Sequence, residues 1–124
     1  MTRVLVDTSV WVAHFRVANP KLQSLLAQDQ VLTHPLVILE IACGTPPAPR
    51  QRTLSDLQKL SPAVIATEGE VLNMVSRFSL HGSGCGAVDM SLLASALITP
   101  EAKIWTLDKH LSELAHRLNV TMQA

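Results

Sequence analysis

The stretch Val4-Leu5-Val6-Asp7-Thr8-Ser9-Val10-Trp11 decides how the chain is read. Every position from Val4 to Val6 is apolar, as expected of a short strand (residues 3–6) buried on both faces. Helical spacing then takes over, with Val10, Trp11, His14 and Phe15 at i, i+1, i+4 and i+5. A carboxylate thus stands where a buried strand turns into a helix. Near the other end, Ile104-Trp105-Thr106-Leu107-Asp108-Lys109 repeats the design. In an open parallel sheet ligands bind outside the carboxyl ends of the strands, so Asp7 and Asp108 are expected to point into one crevice.

Working outward, Asn19-Pro20 breaks the first helix, and Leu22, Leu25 and Leu26 start another. Residues 30–33 read as a second strand. Pro35 suits a first helical turn, and residues 36–43 form an almost wholly apolar helix ending at Gly44. The 45–49 run, Thr-Pro-Pro-Ala-Pro, is a stiff connector, since too few residues flank it for two independent cores. Leu54, Leu57 and Leu60 mark a helix over 50–60. A third strand is expected over 63–67, followed by a helix carrying Val71, Leu72, Val75 and Phe78. The glycine-rich loop 81–86 leads to an apolar helix over 88–98. A strand over 103–107, a helix over 111–118 and an edge strand over 120–122 complete the chain. This alternation predicts an α/β fold, with a mostly parallel central sheet of about four to five strands flanked by helices. One domain spanning 1–124 is expected.

Hydrophobic residues make up 48% of the chain and charged residues 16%, which excludes a disordered tail and suggests that some apolar surface belongs to an interface. The 10 basic and 10 acidic residues cancel, which argues against a nucleic-acid packaging protein but not against an enzyme acting on nucleic acid. Cys43 and Cys85 are too few for a disulfide framework and are expected to be buried free thiols in a reducing compartment. With neither a signal-like leader nor an apolar run long enough to cross a membrane, a cytoplasmic location is expected.

Two further acids matter. Asp89 opens the 88–98 helix, where a carboxylate also favours the helix dipole, just as Asp7 and Asp108 are good helix N-caps. Glu40 sits between Ile38-Leu39 and Ile41-Ala42 with no Lys or Arg within a turn. It is expected to be buried, and a buried carboxylate costs several kcal/mol unless paired, neutralised or metal-bound. Four acids converging on one crevice would repel one another unless a divalent cation joined them. Hard oxygen donors suit Mg²⁺ or Mn²⁺. Metal-assisted phosphodiester hydrolysis is the chemistry such a site supports.

Taken together, these segments resemble the VapC-type toxins of the PIN-domain ribonuclease family over nearly the whole length. Residues 4–11 resemble the opening strand with the first acid, 37–42 the helix bearing the second, 81–84 and 88–96 the loop and helix of the third, and 105–111 the fourth. The resemblance implies a PIN-like three-layer sandwich and an endoribonuclease acting on selected RNA. It makes Asp7 and Asp89 direct metal ligands, with Glu40 and Asp108 completing the catalytic site and Thr8, Ser9 and Thr106 orienting carboxylates or water. A homodimer and a cognate antitoxin partner of a type II toxin–antitoxin pair are likewise implied. The chain departs from many relatives in having Ser83 between the glycines, where they carry a basic residue. It also has Lys109 and His110 where some PIN nucleases carry a further acid.

Other features point elsewhere or nowhere. Gly82, Gly84 and Gly86 lack the Lys-Ser/Thr of a P-loop. His34, His81 and His110 have no metal-ligand spacing and are expected at solvated loops or helix ends. Trp11 and Phe15 are expected in the core or a dimer interface. Arg16, Arg50 and Arg52 are read either as phosphate contacts or as ordinary surface. An aspartyl-nucleophile phosphatase would need an acid where Ser9 stands. A catalytically silent PIN-like binding module remains the alternative of a different class.

Overall fold

In the computed structural model, which describes residues 1–122, four strands and seven helices alternate: β1 (Arg3–Val6), α1 (Thr8–Arg16), α2 (Pro20–Ala27), β2 (Val31–Thr33), α3 (Pro35–Cys43), α4 (Arg50–Gln58), β3 (Ser61–Pro62), α5 (Glu68–Arg77), α6 (Ala87–Ile98), β4 (Ala102–Trp105) and α7 (Lys109–Arg117). The sheet runs β3-β2-β1-β4, and every pairing is parallel. Val4, Leu5 and Val6 are buried, as a central strand covered on both faces requires. One continuous core joins them to Val31 and Leu32 of β2, Ile104 of β4, Leu92 and Leu93 of α6, and Leu111 and Leu114 of α7.

The helix boundaries follow local chemistry. Asn19 caps α2 through its side chain, with Pro20 in the first turn. Thr67 and Glu70 form a reciprocal capping box on α5. The residues expected as a final edge strand contribute one parallel bridge, between Ile104 and Thr121.

Two expectations on the fold are corrected. The third strand lies at Ser61–Pro62, before the apolar 63–67 stretch expected to form it. Only Ala63 N–H still donates to the sheet, at Thr33 O (2.9 Å). The Val64 and Ala66 N–H groups turn instead to α6, donating to Thr99 Oγ1 (2.9 Å) and Ser95 Oγ (3.0 Å). Two hydroxyls one helical turn apart thus take the donors that a strand would have offered a neighbour. His34 is not solvated but among the most buried side chains. Its Nδ1 accepts from Leu36 N–H, which caps α3 and leaves Nε2 to face Ser95 Oγ at 3.1 Å. With Nδ1 accepting, the neutral ring donates through Nε2, and burial holds its pKa below the usual histidine value.

The cysteines also differ from expectation: Cys43 is exposed and Cys85 half-buried, and both are free thiols.

Candidate active site

The site forms where β1 and β4, neighbours in the sheet, end side by side. Their register pairs Val6 with Trp105, which brings Asp7 and Thr106 level one residue further on. Asp7 is 6% exposed and caps α1. Its hydrogen bonds all fall on Oδ2, which accepts from Ser9 Oγ (2.6 Å), Thr106 Oγ1 (2.8 Å) and Ser9 N (3.3 Å). Three donors on one oxygen fix the rotation of the carboxylate, and among the described residues they leave Oδ1 without a hydrogen bond.

The two hydroxyls also accept. Ser9 Oγ takes Leu107 N–H (3.0 Å), and Thr106 Oγ1 takes Asp108 N–H (3.0 Å). Each hydroxyl therefore donates to Asp7 and receives from the chain leading into the second aspartate. Asp108 caps α7 by accepting Leu111 N–H on Oδ1 (2.9 Å) and is itself exposed. The capping and clustering readings of Asp7 and Asp108 therefore hold at once.

Glu40 corrects an expectation, because it is exposed. Helix α3 buries Val37 and Ile41, one turn apart, and that face turns Leu39 and Glu40 outward. Glu40 Oε1 accepts from Thr8 Oγ1 at 2.6 Å, so the residue after Asp7 positions it. The reasoning that an apolar helix must bury its acid fails because α3 is only two turns long and covered on one side.

Asp89, in the first turn of α6, is half-buried. Its pKa is raised by burial first, then by the charges of Asp7 and Asp108 and, after a counteracting backbone hydrogen bond from Gly86, by Glu40. The four acids predicted from sequence therefore share one region of negative potential. The loop before Asp89 is tied to the fourth acid's helix. Gly84 has φ +89°, and a Cβ there would meet the His110 ring at 3.1 Å. Cys85 in that loop is held as a thiol by burial and by Asp89, with Ser83 opposing and Asp108 adding a smaller push.

The donor set has the chemistry of a hard-cation site. Its potential donors are carboxylate and hydroxyl oxygens, and the ion pairs among the described residues, Met1 to Glu101 and Lys59 to Asp56, include none of the four acids. The acids surround the crevice without closing on a point: among the described residues no three His, Cys, Asp or Glu side chains form a ready ion cage. A cation would draw them together against their mutual repulsion.

A groove of about 430 Å³ adjoins Glu40 between α1, α3 and the loop after α3, lined by Val12, Phe15, Arg16, Ile41 and the Gly44–Pro47 turn among others. Sequence reasoning named Phe15 and Arg16 singly but did not join them with Val12 into one wall. Its signal was the i, i+3, i+4 spacing of Val12, Phe15 and Arg16, which puts them on one face of α1.

The PIN domain family matches residues 4–117, a span that holds all four acids. Over 108 residues the chain is 44% identical to Ribonuclease VapC32 of Mycobacterium tuberculosis strain CDC 1551 / Oshkosh, an alignment covering 87% of this chain and 86% of that protein. The same identity and coverage hold for Ribonuclease VapC32 of strain ATCC 25618 / H37Rv. The chain belongs to the PIN-domain family, and within it is of the VapC type.

Proposed function

We propose that this chain is a divalent-metal-dependent endoribonuclease, the toxin of a type II toxin–antitoxin pair, acting as one domain on selected RNA in the cytoplasm. The observation that carries the reading is Asp7. It is a buried carboxylate with one oxygen saturated by Ser9 and Thr106, and it stands in a field of three further acids that form no ion pair among the described residues. Its kinship with two proteins named ribonucleases supplies the reaction class.

Asp7 and Asp89 would hold Mg²⁺ or Mn²⁺, with Glu40 and Asp108 completing the site. When bound, the ion would polarise the phosphodiester and lower the pKa of an attacking water. The protein's own residues do the positioning. Ser9 and Thr106 lock the Asp7 carboxylate, and Thr8 holds Glu40 at the mouth. Half-burial of Asp89 strengthens its interaction with any cation that arrives. A homodimer and a cognate antitoxin fit a chain with exposed Val17, Leu72 and Leu107.

A second reading, a PIN-like binding module without catalysis, draws on the openness of the acid cluster. One experiment separates the two. The purified, partner-free chain is incubated with total RNA in Mg²⁺, in Mn²⁺ and in EDTA, beside Asp7→Asn and Asp89→Asn. Discrete, metal-dependent cuts that vanish in both variants support the nuclease. A folded chain that binds Mg²⁺ in an Asp7-dependent way yet cuts nothing supports the binding module.

A further inference from the structure

We infer that the groove beside Glu40 is the track for single-stranded RNA leaving the acid cluster, and that Arg16 holds a backbone phosphate in it. The inference rests on the nuclease reading above and names the substrate subsite of that site. Arg16 ends α1, the helix that begins directly after Asp7, so one rigid element of nine residues spans from the first acid to this guanidinium. That length is about 13 Å, or roughly two nucleotides of extended strand. Arg16 and Glu40 are the charged residues lining the groove, and Thr8 already engages Glu40. Among the described residues Arg16 has no carboxylate partner.

A free guanidinium at the far end of a groove that starts at a cation-seeking acid cluster matches a polyanion. One phosphate would meet the metal-filled acids and a neighbouring one would meet Arg16. The other walls, Val12, Phe15, Ile41, Pro46 and Pro47, offer mainly apolar contact. They suit the sugar and base faces of a single strand, with little to read sequence. A duplex keeps its base faces stacked inside the helix, which is why a single strand is favoured.

The test uses the full chain and a short fluorescein-labelled single-stranded RNA of mixed sequence. Cleavage by the wild type and by Asp7→Asn is measured first, which judges the nuclease reading by itself. Binding in Mg²⁺ is then followed by anisotropy across a salt series in the Asp7→Asn background, with Arg16→Ala, Arg16→Lys and Lys21→Ala added singly. Lys21 lies beside Thr2, Val4 and Gln30, at the opposite end of the strands, and controls for simple loss of one charge.

Arg16→Ala is expected to weaken binding about tenfold and to lower the slope of log K against log salt by about 0.7, with Arg16→Lys recovering most of the slope. Lys21→Ala is expected to change neither. Unchanged affinity and slope in Arg16→Ala, with cleavage still dependent on Asp7, overturns the phosphate subsite and leaves the nuclease standing. Equal losses in Arg16→Ala and Lys21→Ala also overturn it, as general electrostatics. If Arg16→Ala leaves RNA binding intact but loosens a bound protein partner, the groove is a protein-docking surface instead. No RNA binding and no cleavage by the wild type removes both readings together.

Discussion

The β1–α1 and β4–α7 junctions are built from one local plan: an apolar strand, then an aspartate, then a helix that the aspartate caps. They end in different states. Asp7 is buried, with three hydrogen bonds gathered on one oxygen, whereas Asp108 is exposed, with its Oδ1 given to Leu111 N–H. The cause is position in the sheet. β1 is central, so its end is walled by β2 on one side and β4 on the other. β4 lies beyond β1 at the end of the strand order, and Thr121 adds only a single bridge to it. The neighbour's end supplies Thr106 to Asp7, and among the described residues no side-chain hydroxyl donates to the Asp108 carboxylate. Identical local sequence logic gives a pre-oriented carboxylate in the middle of a sheet and a solvated one at its margin.

That contrast predicts unequal losses. Asp7→Asn is expected to lower RNA cleavage by about a thousandfold or more, since it removes the charge of the most rigidly held of the proposed ligands. Asp108→Asn should cost nearer tenfold under the same assay. Because asparagine caps a helix as well as aspartate, Asp108→Asn should leave the unfolding midpoint unchanged, while Asp108→Ala should also lose about 1 kcal/mol of stability. Equal activity losses at the two aspartates would break the comparison.

The hydroxyl that joins the junctions comes next. Thr106→Val keeps the shape but removes the donor to Asp7 and the acceptor for Asp108 N–H. Metal affinity, read by calorimetric Mg²⁺ titration, should fall about ten- to a hundredfold. Asp7→Asn combined with Thr106→Val should then lose little more than Asp7→Asn alone, because both act through one carboxylate. Full additivity of the two losses would show that Thr106 works by some other route.

The smallest effect lies at the neighbouring strand end, where β2 passes into α3 through His34. Its pKa is lowered by burial, so the fold favours the neutral ring. The unfolded chain takes up the proton more readily, near its ordinary value of 6.5. The contribution to stability is therefore full above that pH and is lost as pH falls below it, down to the lower pKa of the folded ring. Unfolding midpoints should decline between about pH 7 and pH 5, and the decline should flatten in His34→Gln. An unchanged slope in the variant would assign the decline to other groups.

Much of this was legible in the residues. The apolar run before Asp7, the matching run before Asp108, the proline opening α3 and the leucine spacing of α4 and α6 each name their elements by period and punctuation. The acids could be picked out because each stood at a strand end, a helix start or an otherwise apolar face. Glu40 shows where such reasoning stops. Its apolar neighbours predicted burial, but only one face of α3 is covered, and a helix's own sequence does not say how many sides its neighbours will occupy. The 63–67 stretch is a second case. Its apolar pattern promised a strand, yet two hydroxyls on α6, about thirty residues later, claimed its backbone donors.

By itself, then, the sequence determined the element order and the parallel α/β class and singled out four acids as candidates, because these readings depend on periodicity, punctuation and capping, all of which act over a few residues. The tertiary structure alone decided which carboxylate is locked and which is free, that His34 is buried against Ser95, and that Arg16 ends up in the same groove as Glu40. Those outcomes depend on which strands become neighbours and which helix faces are covered, and contacts between residues far apart in the chain settle both.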